Sequence, residues 1–174
     1  MAEFEPAFRD TIWREGGYVN DPVDRGGETY QGISRKNWPD WEGWLQIDSI
    51  KLKDPHDLPK ALSESRSLSA LVAAFYREEF WEYDPVGDQS VASKLFDMAV
   101  NMGSKQAHRY AQRILEVTPD GKFGPRTLAA LNAVDPARLL FELRVASAIH
   151  YVDIMLRDST QAKYKNGWLR RAIS

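Results

Sequence analysis

The 174-residue chain contains no cysteine. That absence excludes disulfides, thiol nucleophiles, Fe–S clusters and cysteine-ligated zinc. No run of about 18 apolar residues occurs either, so no segment is suited to cross a bilayer as a helix. The opening Met1-Ala2-Glu3-Phe4-Glu5 is acidic and lacks the basic-then-apolar pattern of a secretory signal. Synthesis in the cytoplasm, with action outside it only by another export route, is the resulting expectation. The three histidines, His56, His108 and His150, are far apart and lack the spacing of a helical zinc site. Neither a phosphate-binding Gly-rich loop nor a Gly-x-Ser-x-Gly elbow is present. Hydrolysis by a metal or a Ser/His pair is therefore not expected, and no cofactor is implied.

What is present describes a globular chain: 43% apolar and 11% aromatic residues, too many for disorder. The formal net charge of −2 hides a split. Residues 1–100 hold 11 basic and 19 acidic side chains, whereas residues 101–174 hold 12 basic and 6 acidic ones. Near-balance disfavours a general nucleic-acid coat, while the basic second half suits an anionic partner. The length suggests one domain or two small lobes sharing a core.

Periodicity predicts a mainly α protein with a small β part. Phe4, Phe8 and Ile12 recur every four residues, with Pro6 in the first turn and Gly16-Gly17 as the stop. Tyr18-Val19 and Thr29–Ile33 look like short strands joined by polar turns. Residues 34–66 are irregular or in short helices, broken by Pro39, Pro55 and Pro59. Helices are then predicted over 69–81, 90–102, 104–116, 125–131, 135–157 and 161–172. The long one has Asp135 as N-cap and Pro136 at its first position, and is expected to bury Leu139, Leu140, Leu143, Ala146, Ile149 and Ile154.

Candidate chemistry concentrates in residues 15–34. Glu15 ends an apolar-faced helix, where the negative helix terminus and partial burial both disfavour an ionised carboxyl. Such an acid can donate a proton near neutral pH. The plain alternative is a solvated last-turn residue. Asp24, nine residues on, lies in a polar turn where it can stay ionised, and Thr29 begins the returning strand. An acid in an apolar setting opposite a solvated carboxylate is the arrangement used in glycoside hydrolysis. Asp24 can equally serve as an Asx cap of the Arg25-Gly26-Gly27 turn. Glu28 competes for the second-carboxylate role: strand alternation puts Glu28 and Tyr30 on one face, Thr29 and Gln31 on the other.

The run Glu15-Gly-Gly-Tyr, then Asn20-Asp-Pro-x-Asp-x-Gly-Gly-Glu-Thr, then Gly32-Ile-Ser resembles the signature of glycoside hydrolase family 108, the phage and prophage N-acetylmuramidases. In related phage-type lysozymes the Glu-to-Asp interval is the same and the Asp-to-Thr gap is one residue longer. Phe96-Asp97-Met98-Ala99-Val100-Asn101-Met102-Gly103 is similar to a further segment of the family. Asp120-Gly-Lys-Phe-Gly-Pro-Arg-Thr127 resembles the pattern of predicted peptidoglycan-binding regions, and Gly167-Trp-Leu-Arg-Arg171 resembles the family's closing segment.

The resemblance implies a lysozyme-like α+β fold, with a catalytic part over residues 1–94 and a helical lobe over 95–174, together forming one compact unit. It implies a muramidase of endolysin type cutting the β-1,4 bond between N-acetylmuramic acid and N-acetylglucosamine. Glu15 would be the general acid, Asp24 would position water, and Thr29 would hold that water. Tyr18, Glu28, Tyr30, Gln31 and Asn101 would contact substrate, with Asn101 also readable as a helix cap before Gly103. Trp38, Trp41, Trp44, Tyr76 and Trp81 read as packing rather than sugar platforms. Peptidoglycan is the implied partner of a monomer that acts in the periplasm or wall, released by a holin-type pore protein. Two readings stay open beside it: a lytic transglycosylase, and a non-catalytic wall-binding or secretion-associated protein of the same fold.

Overall fold

The computed structural model describes residues 1–12, 15–20, 27–53 and 56–174. Nine α-helices and one three-stranded sheet occur among them. The chain divides into two compact units, Phe8–Glu79 (the sheet unit) and Met1–Ala7 with Phe80–Ser174 (the helical unit).

The sheet unit takes most of helix α1 (Phe4–Ile12), the strands β1 (Tyr18–Asn20), β2 (Glu28–Tyr30) and β3 (Ile33–Ser34), and then α2 (Gly43–Lys53), α3 (Leu58–Glu64) and nearly all of α4 (Arg66–Phe80). The sheet is antiparallel in the order β1-β2-β3, with Tyr18 opposite Tyr30 and Thr29 between Val19 and Ser34. Here the structure corrects the sequence reading, because Thr29–Ile33 is not one strand. Gln31 (φ +44°) and Gly32 (φ +81°) make a two-residue hairpin turn with both central φ values positive. That geometry matches the right-handed twist of the flanking strands. A β-rich composition could not reveal it, since Gln at the first turn position is unusual there. The turn also removes Gln31 from the strand alternation that paired it with Thr29. Tyr30 and Ile33 are buried in the unit's core with Trp44, Ile47, Leu62, Leu68, Val72, Phe75 and Tyr76.

In the helical unit, Phe4 in the first turn of α1 meets the rings of Trp81 and Phe96 edge-on, at 5.6 and 5.7 Å. Helix α5 (Gln89–Met102) is capped by Asp88, whose carboxylate accepts from Val91 N at 3.0 Å. Helix α8 (Pro136–Arg157) is capped by Asp135 in the same way, accepting from Arg138 N at 2.8 Å. Each cap is worth about 1 kcal/mol. Between them lie α6 (Ser104–Ile114) and α7 (Pro125–Ala133); a 3₁₀ segment (Ser159–Tyr164) then leads into α9 (Lys165–Ile173).

The α8 stripe differs in part from expectation. Leu139, Leu143 and Ala146 are buried, but Ser147 and Tyr151 complete the stripe, and Ile149 is 52% exposed. Ile149 lies off the 139–143–147–151 line that a 3.6-residue period draws.

Two polar devices lock this unit. Buried Lys94 donates to the last carbonyls of α9, Arg171 O and Ala172 O, both at 2.9 Å. These are helix-end acceptors that would otherwise lack partners. The Arg171 guanidinium pairs with buried Asp97 at 2.9 Å. The second device is Gln112, one face of α6. Its amide donates to Asp120 Oδ1 (2.7 Å), Lys122 O (2.9 Å) and Thr127 Oγ1 (3.1 Å), and its oxygen accepts from Gly121 N (2.8 Å).

Candidate active site

Glu15 lies three residues after the end of α1, and its N–H donates to Ile12 O at 3.0 Å, which ties this segment to the helix's carbonyl end. Gly16 (φ +75°) and Gly17 then turn the chain into β1. Gly17 O accepts from Gln31 N at 3.1 Å, so the segment after Glu15 is tied to the β2–β3 turn. The closeness can be measured at Gly32. A Cβ there would fall 2.8 Å from Glu15 Oε2 and 2.5 Å from the Tyr76 hydroxyl oxygen. Only glycine leaves room for both oxygens beside this turn. The Tyr76 hydroxyl donates to Gln31 O at 2.7 Å, which fixes the turn from α4. Glu15, Gly32 and Tyr76 thus form one polar spot in this unit.

Glu28, the competing carboxylate, is heavily engaged. Its Oε1 accepts from the Tyr18 hydroxyl at 2.9 Å and from Lys51, and its Oε2 pairs with Arg35 Nε at 2.9 Å. Arg35 also holds Asp48 through two parallel bonds, at 2.7 and 3.0 Å, and lies 4.6 Å from the centre of the Trp44 ring. Bonding to Arg35 holds the Asp48 carboxyl below the usual carboxylate range, while burial pushes the Tyr18 phenol up, so Tyr18 donates. The cluster ties β1 and β2 to α2. It spends Tyr18 and Glu28 on bracing the sheet.

Of the other sequence candidates, Thr29 is half-buried in the middle of the sheet, with its hydroxyl 3.4 Å from Gly27 O. Tyr30 is 2% exposed and donates its hydroxyl to Leu62 O at 3.2 Å, so its ring serves the core and not a ligand. That is the face Ile33 shares, and strand alternation puts Thr29 on the opposite one. Gln31 keeps a half-exposed side chain while its backbone is held at both ends. Asn101 belongs to the helical unit, inside α5 rather than at its cap, and accepts from the Tyr151 hydroxyl at 2.7 Å. The cap position is Gly103. Asp24 lies outside the described residues.

Sequence reasoning missed Tyr76, read as packing, and the Arg35–Asp48–Lys51 side of the cluster. The signal for Arg35 and Lys51 was weak: cations within reach of a strand carboxylate only after α2 folds back. No group of three or more potential metal ligands is assembled among the described residues.

A family model described as Glycosyl hydrolase 108 matches residues 8–103, and one described as Predicted Peptidoglycan domain matches residues 106–173. The structure of Brucella abortus SagA is similar at 26% identity with a TM-score of 0.64, over 97% of this chain and 88% of SagA. No curated protein matches the chain. The mostly helical architecture with its small antiparallel sheet is a lysozyme-like α+β fold.

Proposed function

The chain belongs to the glycosyl hydrolase 108 family, as a lysozyme-like protein directed at peptidoglycan, and we propose that it is a muramidase with Glu15 as the general acid. The bond cut is the β-1,4 linkage between N-acetylmuramic acid and N-acetylglucosamine. The observation that carries this reading is the convergence of the Glu15 carboxylate and the Tyr76 hydroxyl beside Gly32. The Glu15 carboxyl is half removed from water, in a segment tied by Glu15 N to the carbonyl end of α1. Glu15 then protonates the leaving glycosidic oxygen as positive charge builds on the sugar ring. Tyr76 acts as a positioning residue, since its hydroxyl holds the turn that frames the acid.

With both Glu28 oxygens held by Tyr18, Arg35 and Lys51, we assign the second carboxylate to Asp24, which positions the attacking water with help from the Thr29 hydroxyl. The Gln31 amide is suited to an acetamido group. The protein meets its substrate outside the cytoplasmic membrane, where the polymer lies.

Glu15→Gln removes the proton and little volume. Turbidity loss of permeabilised cells should slow by about 10² or more with an unchanged melting temperature. A folded Glu15→Gln protein with wild-type activity ends the assignment. The carboxylate beside Gly32 is that of Glu15, and a single acid is also what a lytic transglycosylase requires. Digestion in ¹⁸O water separates the two reactions by mass, because only hydrolysis incorporates solvent oxygen.

A further inference from the structure

Residues Asn37–Glu42 and one face of α4 enclose an open cavity of about 500 Å³ within the sheet unit. Its walls are aromatic. Trp38 and Phe75 meet edge-to-face at 4.9 Å and 84°, and Trp41 meets Phe75 at 6.2 Å and 63°. Trp41 is seated where a side chain at Gly43 would be, since a Cβ there would fall within its indole ring. It also stands edge-on to buried Trp44 at 5.2 Å. The loop carrying the two indoles is pinned at both ends. Trp38 N donates to Ser34 O at 2.9 Å, and Trp44 Nε1 donates to Trp38 O at 2.7 Å. Trp38 nevertheless keeps 37% of its surface exposed. A fixed loop that leaves an indole open is a prepared surface, unlike Trp44, which is simply buried.

The charges on the lining are all of one sign: Asp40, Glu42, Glu78 and Glu79, with no Lys, Arg or His among the lining residues. No ion pair engages these four carboxylates among the described residues. Glu28 and Asp48 in the same unit both have cationic partners. An aromatic ring attracts a cation through its face, and the carboxylates reinforce that field while repelling anions.

We propose that this cavity binds an aliphatic ammonium group, its alkyl stem against the indoles and its charge taken by the carboxylates of α4 and the loop. For its natural source the proposal rests on the wall-directed reading above: wall peptides carry free side-chain amines on diamino residues. The cavity would then give the enzyme a preference for wall whose amines are unmodified. A neutral sugar stacked on Trp38 is the rival occupant.

The test titrates the full chain with Nα-acetyl-lysine amide while following the ¹⁵N indole signals of Trp38 and Trp41. Saturable shifts confined to those two indoles are expected, with none from the Nε-acetylated probe. The Glu78→Gln/Glu79→Gln double variant should bind the probe about five-fold more weakly. Absence of shifts at millimolar probe, equal shifts from the acetylated probe, or saturable shifts from N-acetylglucosamine instead would each overturn the proposal.

A second arm compares hydrolysis of wall with free amines and wall with acetylated amines. Wild type should show a lower KM for the first at similar kcat, and the double variant should lose that difference. Equal KM for both walls in wild type overturns the wall-amine source. Probe binding without hydrolysis of either wall overturns the hydrolase reading and leaves the ammonium site standing.

Discussion

The two units each contain a glycine turn with nearly the same backbone, Gly32 at φ +81° and Gly121 at φ +80°. Both are closed to any side chain, but by different neighbours. At Gly32 the obstructing atoms are the Glu15 carboxylate and the Tyr76 hydroxyl, the ends of two side chains. At Gly121 one of them is the backbone carbonyl of Lys105, 2.9 Å from where a Cβ would sit. The polar residues around Gly121 serve the turn itself. Asp120 accepts from Lys122 N at 2.9 Å, which with the Gln112 bond keeps its carboxyl below the usual range, and Thr127 and Gly121 share the same Gln112 amide. The Asp120–Thr127 stretch, which lies within the residues matched by the Predicted Peptidoglycan domain, is an internally hydrogen-bonded turn and helix start. Around Gly32, by contrast, the neighbouring carboxyl is held half-exposed at a helix end. One turn is closed in part by main chain, and the other by the ends of the Glu15 and Tyr76 side chains.

This contrast can be broken most directly by comparing losses of activity with losses of stability. Glu15→Gln should give the largest change, about 10² or more in wall hydrolysis with melting unaffected. Next, Arg171→Met removes the Arg171 cation from buried Asp97, whose distance to Lys94 is 3.6 Å. Stability by urea titration should fall by about 3–5 kcal/mol, with activity per folded molecule retained. Gly121→Ala should cost about 2–3 kcal/mol, from a left-handed backbone and a contact that only main-chain movement relieves. Gly32→Ala should cost less stability, about 1–2 kcal/mol, because side chains can move aside. In doing so it displaces Glu15, and activity should drop about ten-fold or more. If Gly32→Ala proves fully active, the acid is not framed by this turn.

The smallest expected effect concerns pH. His108 is buried, its Nδ1–H donating to Gly121 O at 3.3 Å and its Nε2 accepting from the Tyr83 hydroxyl at 2.9 Å. Burial pushes its pKa below the ordinary 6.5. The unfolded chain therefore binds the proton first, and stability declines as pH falls through 6.5 toward the lower folded value. Replacing His108 by Gln should flatten the slope of melting temperature against pH in the range of roughly 5 to 6.5. An unchanged slope would remove His108 as its source.

Much of this was legible in the sequence, for reasons that are local. The apolar period of Phe4, Phe8 and Ile12 marks α1, and Asp135-Pro136 marks the start of α8. Gly16 takes a left-handed φ, as glycine readily does, where the chain turns toward β1. The strand run at 29–33 misled because β-propensity there is continuous, whereas the turn at Gln31-Gly32 is imposed by pairing Tyr30 with Ile33. Ile149 misled because an apolar residue anywhere on a helix looks like core until the helix meets its neighbours.

Periodicity, caps and the 15–34 signature alone determined the helical class, the position of the small sheet and the family. Those features depend on residues within one or two turns of each other, so neighbouring letters contain them. Only tertiary structure decided which polar side chains are occupied. Lys51 and Arg35 capture Glu28, and Tyr76 reaches the Gln31 carbonyl from 45 residues away. Lys94 caps a helix whose last residues lie 77 and 78 positions further along the chain. Whether a carboxylate braces a sheet depends on which cations fold against it, and no stretch of sequence around that carboxylate specifies them.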